Sequence, residues 1–276
     1  MIVDAFTFFN EKELVELRVK YLNDLIDYFV VIEADVTHSG KEKKWNFPSI
    51  LDKELKEFSH KIKYHQMKID LEKAEREKSP NYVGGTWGRS WKVENMQRNY
   101  IKDACKEFSS KDIIIMSDLD EIPSREKIDF VKNSDFKSIA PVAFDQALFH
   151  LNCNYLSLEK WIGSIIITKE LVEKYEPQIF RDNKNRISRF TQAGWSFSSF
   201  GGTRRVREKF EAFAHEEYNK EKFISETHIK KSSELGTDLF YRDVKKKQIS
   251  KNFFPKDLLE LMEQNPKFYF GSDTTY

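Results

Sequence analysis

Apolar runs and segments with helical hydrophobic spacing alternate along the first half of the chain. Residues 2–9 and 28–34 are continuous apolar runs typical of buried strands. Between them, Asn10 followed by Glu13 is a typical helix start, and a helical stripe follows. These segments predict a β-α-β unit at the start of the chain. The apolar residues of the stripe are Leu14, Leu17, Tyr21 and Leu25.

The same alternation continues beyond the first unit. Residues 61–67 and 113–116 predict two more strands, and residues 91–108 predict a helix from their apolar period. Strands alternating with helices predict a mixed, mostly parallel, Rossmann-like sheet flanked by helices. We expect one domain over residues 1–276. The later predicted segments are a helix at 125–133, strands at 139–144, 146–156 and 161–168, and a helix at 206–214.

Charge and composition give no support for a nucleic-acid partner or for a membrane-spanning segment. Lys and Arg number 46 and Asp and Glu 45, so the formal net charge of +1 gives no reason to expect nucleic acid as a partner. No apolar run is long enough to span a bilayer, and the N-terminus lacks the features of a signal peptide. We therefore expect no integral membrane segment and a cytoplasmic location. Cys105 and Cys153 lie in apolar segments typical of buried free thiols.

An acidic turn follows the apolar strand at 113–116. Asp118, Asp120 and Glu121 fall within four residues, just before Pro123. Two carboxylates about 4 Å apart repel by roughly 4 kcal/mol at an effective dielectric of about 20, so the group needs a cation or raised pKa values. Carboxylate oxygens suit Mg²⁺ or Mn²⁺. The alternative is an acidic turn that only caps the following helix, through Ser124 or Asp120.

Polar residues near two strand ends are candidates for a nucleotide site. Glu33, Thr37 and Gly40 follow the second strand, where ligands bind in doubly wound sheets. Arg98 lies off the apolar stripe of the helix at 91–108, where it could contact a phosphate or a ribose. Ordinary loop polarity and a solvated side chain remain the alternatives for these positions.

Further candidates lie in the second half of the chain. His215 and Glu217 come directly after the helix predicted at 206–214. They could complete a metal site or supply a general base. A structural histidine is the alternative. Arg181 and Lys184 belong to a basic cluster that could meet an anionic ligand or form a solvated face.

Five segments of the chain resemble one known family in the same order. They are AFTFFNEKELVELR, DYFVVIEADVTHSGK, QRN, DIIIMSDLDEIPS and AGWSFSSFGG. Over residues 2–228 the chain resembles glycosyltransferase family 17, the family of the β-1,4-mannosyl-glycoprotein β-1,4-N-acetylglucosaminyltransferase. The resemblance implies a GT-A-type fold, inverting transfer from a UDP-sugar, and Mn²⁺ or Mg²⁺ held at Asp118-Leu119-Asp120.

With this resemblance we also expect two functional halves of the chain, one for the nucleotide and one for the acceptor. Residues 33–40 would line the nucleotide site, together with Phe6 and Thr7, giving a nucleotide-binding half at about 1–123. An acceptor half would follow at about 124–276, and the acceptor would be a glycan or a lipid-linked saccharide. The family usually has His where this chain has Ser196, which bears on specificity or activity. Because no anchor is expected, we predict a cytoplasmic enzyme, with peripheral contact at the inner membrane face as a further option.

Three hypotheses follow for the function. The first is a metal-dependent inverting glycosyltransferase, with GlcNAc as a candidate sugar, Glu217 as the first candidate base and Asp145 as the second. The second is a sugar nucleotidyltransferase, although the Gly-rich basic signature typical of that class is missing after the first strand. The third is a catalytically weak, glycan-binding relative, for which Ser196 is the only indication.

Overall fold

A computed structural model describes residues 1–76, 88–212, 218–265 and 268, and a ten-stranded sheet organises them. The strands are β1 Ile2–Phe8, β2 Tyr28–Ala34, β3 Ile62–Met67, β4 Ile113–Asp118, β5 Glu121–Pro123, β6 Val142–His150, β7 Tyr155–Thr168, β8 Ser188–Phe190, β9 Gly194–Ser198 and β10 Lys246–Gln248. The helices are α1 Lys12–Leu22, α2 Phe47–Leu51, α3 Leu71–Arg76, α4 Arg89–Asn99, α5 Ile101–Ala104, α6 Arg125–Lys132, α7 Lys169–Lys174, α8 Pro177–Asp182, α9 Gly202–Ala212, α10 Glu221–Ile224, α11 Glu226–Leu235 and α12 Lys256–Glu263.

The sheet is mixed, and parallel pairing dominates its N-terminal half. Its strands follow the order β3-β2-β1-β4-β7-β6-β9-β5, with β10 beside β7 and β8 beside β6. Of the nine strand pairings among the described residues, five are parallel and four are antiparallel. The predicted single α/β domain with a mixed, mostly parallel sheet is therefore confirmed.

The acidic turn joins two strands that are far apart in the sheet order. Only Leu119 and Asp120 separate β4 from β5, yet β4 is fourth and β5 eighth along the path. The sheet must therefore curl until its β9-β5 end comes back to the carboxyl end of β4. This curl places the acidic turn between the two halves of the sheet.

Apolar cores on both faces of the sheet explain why its central strands are continuous apolar runs. Phe6, Phe29 and Ile115 belong to one core, and Ala5 and Val30 belong to the other. Neighbouring positions of a strand point to opposite faces, so a strand that is covered twice needs apolar residues throughout. Both cysteines are buried free thiols, as predicted. No helix in the described ranges has the length and apolar character needed to cross a bilayer.

Several predicted boundaries differ from the structure. Helix α1 begins at Lys12, and Glu11 rather than Asn10 is its N-cap residue. The carboxylate of Glu11 accepts the backbone N–H groups of Phe9 and Asn10. The strand predicted at 139–144 and the first part of the one predicted at 146–156 form the single strand β6, whose register shifts on both sides of Asp145. Residues 155–156 already belong to β7. Short-range periodicity predicts such irregular positions poorly because a bulge depends on the neighbouring strand.

A glycine at the start of β9 allows close contact with β5. Gly194 has a φ of +139°, and a Cβ atom there would lie 2.2 Å from the Ile122 carbonyl oxygen and 2.9 Å from Pro123 Cα. We expect Gly194→Ala to lower the free energy of unfolding by about 2 kcal/mol or more. Urea denaturation would measure it, with Gly88→Ala as the control because a Cβ atom there meets nothing within 4 Å. Equal losses in the two variants would contradict this explanation.

Candidate functional site

A cavity of about 160 Å³ opens where β1, β2 and β4 end. Backbone segments after the first two strands form one wall, and the acidic turn forms another. Because parallel strands present their carboxyl ends at one edge, this is the usual ligand position in such sheets. The lining residues are Thr7, Phe8, Phe9, Glu11, Val36, Thr37, His38, Lys43, Glu94, Gln97, Asp118, Leu119, Asp120, Trp161, Ser196, Ser198, Lys209 and Ala212.

Two arginines hold Asp118, the first acid of the turn. Arg98 Nη2 donates to Asp118 Oδ1 at 2.9 Å, and Arg181 Nη2 donates to Oδ2 at 2.9 Å. Burial opposes ionisation of this carboxyl group, but the two arginines outweigh it and hold the Asp118 pKa far below its usual range. Asp118 is thus an anion with one charge-assisted hydrogen bond on each oxygen.

Glu121 lies beneath the cavity and ties the turn to the opposite part of the sheet. Its side chain is fully buried and accepts Arg181 Nη2 at 2.5 Å and Nη1 at 3.0 Å. It also accepts the Trp161 indole N–H at 3.1 Å and the Asp118 backbone N–H at 3.2 Å. Burial raises the pKa of this carboxyl group, and Arg181 opposes the shift. Glu121 therefore stabilises the turn rather than facing a ligand.

Asp120 faces the cavity and has a different partner. Lys209 Nζ, on helix α9, lies 3.0 Å from Asp120 Oδ2. Burial raises the pKa of Asp120, and Lys209 opposes that shift. Among the described residues Lys209 donates the only hydrogen bond that reaches this carboxylate, so Oδ1 is open for another ligand.

The protein's own cations thus neutralise the acidic turn. We expected the crowded carboxylates to require either a cation or raised pKa values. The structure supplies three cations from distant parts of the chain, and the pKa values of Asp120 and Glu121 are also raised. The pairs are Arg98 and Arg181 with Asp118, Arg181 with Glu121, and Lys209 with Asp120.

A fully buried arginine fixes the backbone of the turn. Arg18, on α1, has no exposed side-chain surface, and both of its bonds to Asp4 measure 2.7 Å. Its Nη1 donates to the carbonyl oxygens of Asp118, Leu119 and Glu121 at 3.3, 3.1 and 2.8 Å. Three carbonyl oxygens of a short connection thus accept hydrogen bonds from one guanidinium nitrogen, which holds the backbone of the turn in place.

The structure brings only part of the predicted site to the cavity. Thr7, Thr37, Asp118 and Asp120 line it. Arg98 is almost fully buried behind Asp118, where it is bound to that carboxylate rather than exposed to solvent. His215 and Glu217 lie outside the described residues.

Phe6, Glu33, Gly40 and Asp145 are not among the described residues that line this cavity. Glu33 is fully buried and accepts Lys43 Nζ at 2.5 Å. It also accepts Tyr64 Oη at 2.7 Å and the backbone N–H groups of Asn46 and Phe47 at 2.7 and 3.1 Å. In this structure it therefore holds the segment after β2 in place.

Phe6, Gly40 and Asp145 lie away from the cavity, in positions that the fold itself explains. Phe6 is buried under the guanidinium of Arg18, 4.8 Å from its ring centre. Gly40 occupies a left-handed turn with a φ of +83°. Next to Asp145, Gln146 bonds Ile122 and Ser164, so strand alternation directs Asp145 to the opposite face.

Several residues of the site were not identified individually from the sequence. His38 Nε2 lies 3.1 Å from Gln97 Oε1, and both residues face the cavity. Trp161 and Lys209 also line it, and Ser198 joins Ser196 on the β9 wall. His38 falls within the segment at 33–40 that the family resemblance assigns to the nucleotide site, although it was not identified by itself. No motif or periodic pattern in the neighbouring sequence indicates that Trp161 or Lys209 belongs to the site.

The donor set fits a divalent cation of the Mg²⁺ or Mn²⁺ type that shares its coordination with a substrate. Such ions are commonly bound by one or two carboxylates, with water and substrate phosphates completing the shell. The described residues contain no group of three His, Cys, Asp or Glu that could form a metal cage. Asp120, with one open oxygen facing the cavity, provides the single-carboxylate arrangement, and Asp118 lies on the same turn.

Comparison with known proteins agrees with the resemblance seen in the segments. The profile described as glycosyltransferase family 17 matches residues 1–269. The β-1,4-mannosyl-glycoprotein 4-β-N-acetylglucosaminyltransferases of Rattus norvegicus and Homo sapiens are each 24% identical over 139 residues. That stretch spans 49% of this chain but only 24% of each relative.

Two solved structures also align with this chain. An active-site mutant of LgtC aligns with a TM-score of 0.37 at 12% identity, covering 68% of this chain and 66% of that one. A putative glucose-1-phosphate thymidylyltransferase from Bacillus anthracis aligns with a TM-score of 0.37 at 10% identity, covering 70% and 87%.

Proposed function

Because the chain belongs to glycosyltransferase family 17, we propose that it transfers a sugar from a UDP-sugar to a hydroxyl group of a glycan or a lipid-linked saccharide. GlcNAc is the first candidate sugar, and the transfer inverts the anomeric configuration. The observation that carries the proposal is the acidic turn, which opens with Asp118 and Asp120 into a cavity at the ends of β1 and β2. A nucleotide diphosphate that shares a divalent cation with these carboxylates matches this position.

In this proposal Mn²⁺ or Mg²⁺ is held by Asp120, with Asp118 as the neighbouring carboxylate. When bound, such an ion neutralises the charge that develops on the departing nucleoside diphosphate. Asp118 is tied by both oxygens to Arg98 and Arg181. Asp118 thus keeps two guanidinium groups beside the diphosphate position, and Asp120 is the more accessible ligand.

The remaining walls of the cavity suit the two ends of a nucleotide-sugar. Thr7, Thr37 and His38 offer hydrogen-bonding groups at the ends of β1 and β2, where we place the nucleoside. Trp161 and Ser196 line the side toward β7 and β9, where we place the sugar. An indole ring packs well against the C–H face of a sugar, while hydroxyl groups orient its polar edges.

A thermal-shift screen of UDP-, GDP- and dTDP-sugars, each with and without Mn²⁺, tests this proposal. We expect the largest rise in melting temperature with a UDP-sugar and Mn²⁺ together, because a ligand that binds only the folded state stabilises it. Slow hydrolysis of the donor in the presence of Mn²⁺ would separate an enzyme from a glycan-binding relative. Release of pyrophosphate from UTP and a sugar phosphate would instead identify a nucleotidyltransferase.

A further inference from the structure

Lys209 binds the same carboxylate of Asp120 that a divalent cation would need, through Oδ2. Its ammonium nitrogen lies 3.0 Å from Asp120 Oδ2, and both residues line the cavity. The two side chains are 22% and 16% exposed, so the pair is largely shielded from solvent. An ion pair in these surroundings is screened less by salt than one on an open surface.

A divalent cation that binds Asp120 Oδ1 comes close to the ammonium group on Oδ2. Asp118 already receives one arginine on each oxygen. Asp120 therefore offers the accessible carboxylate, and an incoming cation meets the ammonium group of Lys209 there. Two cations on one carboxylate repel each other, and that repulsion is stronger in a partly buried site than in water. Binding of the divalent ion thus favours departure of the ammonium group.

A second carboxylate lies in the same cavity as Lys209 and Asp120. Glu11 lines the same cavity. Burial lowers the pKa of Lys209, but the negative charges of Asp120 and Glu11 outweigh burial and raise it. The lysine side chain is a flexible four-carbon stem with a compact charge at its end. Glu11 is thus a second carboxylate in the cavity that Lys209 lines.

We propose that Lys209 and the divalent cation compete for Asp120, so that Lys209 sets the metal concentration that the site requires. This inference rests on the proposed function, since it assumes that Asp120 is a metal ligand. Lys209 is thereby a positioning residue that holds Asp120 in the metal-free protein.

Direct titration with Mn²⁺ alone, followed by electron paramagnetic resonance of the free ion, tests the competition. We expect Lys209→Met to lower the Kd for Mn²⁺ by at least about tenfold, because the competing charge is gone. Lys209→Gln serves the same purpose if the methionine variant does not fold. An unchanged or weaker Mn²⁺ affinity in the folded variant overturns the proposal.

Three further variants show where any gain in affinity comes from. Lys209→Arg keeps a cation in place and should bind Mn²⁺ as the unmodified protein does. Arg207→Met removes a cation of the same helix that is 39% exposed and paired with Glu211, and it should also leave the affinity unchanged. Asp120→Asn combined with Lys209→Met should abolish the gain. A gain that survives in this double variant overturns the proposal.

The two proposals fail in different ways. If UDP-sugars shift the melting temperature only with Mn²⁺, yet Lys209→Met binds Mn²⁺ no more tightly, only the competition is wrong. If Lys209→Met tightens Mn²⁺ binding and no nucleotide-sugar shifts the melting temperature, the competition stands and the proposed donor is wrong.

Discussion

Replacing Asp120 with alanine is expected to abolish the effect of Mn²⁺ on UDP-sugar binding. Asp120 is the acid of the turn with an oxygen open to the cavity, since Lys209 donates only to Oδ2. Altering groups that merely support metal ligands costs about 10- to 100-fold in affinity, so loss of a ligand itself should cost at least about 100-fold. Isothermal titration with UDP-sugar, with Mn²⁺ or with EDTA, measures the loss directly.

Two controls separate this effect from a general loss of negative charge. Glu126→Ala removes an acid that is 79% exposed on α6 and should leave the metal effect unchanged. Asp118→Asn should weaken nucleotide binding both with Mn²⁺ and with EDTA, because it releases Arg98 and Arg181. If Asp120→Ala binds nucleotide as the unmodified protein does, with or without EDTA, the assignment of Asp120 fails.

Arg18→Met is expected to cause the largest loss of stability among the substitutions considered. The guanidinium group is fully buried, pairs with Asp4 and bonds the backbone of the acidic turn. Removing one partner of a buried ion pair leaves the other charge unpaired, which costs about 3–5 kcal/mol. Urea denaturation, followed by circular dichroism, measures the change in the free energy of unfolding.

An exposed ion pair provides the matched comparison. Arg76 is 79% exposed and pairs with Glu72 one helical turn away, so Arg76→Met should cost at most about 0.5 kcal/mol. Asp4→Asn combined with Arg18→Met should lose less than the sum of the single losses, because neither charge is then left alone. A loss below about 1 kcal/mol in Arg18→Met would show that this buried network does not stabilise the turn.

Local sequence patterns predict the central part of the fold well. Strand β2 covers the predicted residues 28–34, and β4 contains the predicted residues 113–116 and continues for two more residues, to Asp118. These strands are buried on both faces, so their hydrophobic runs are unambiguous. The acidic turn was likewise identifiable because three carboxylates within four residues need a physical explanation.

The partners of those carboxylates could not be found in the same way. Arg98 and Arg181 are 20 and 63 positions from Asp118, and Lys209 is 89 positions from Asp120. No local period links such residues, and only the curl of the sheet brings them together. Arg18 did leave a signal, because a charged residue four positions after Leu14 interrupts the buried stripe of α1.

The balance of charge at the acidic turn has a consequence for how ligands arrive. Three carboxylates face three cations there, so the turn attracts neither a free nucleotide nor a free metal ion strongly from a distance. Electrostatic steering requires an excess of one sign, and at physiological salt it fades beyond about 8 Å. Ligand binding at this site therefore depends on short-range replacement of the ion pairs within the turn. A nucleotide and its metal ion would enter most readily as one complex whose charges nearly cancel.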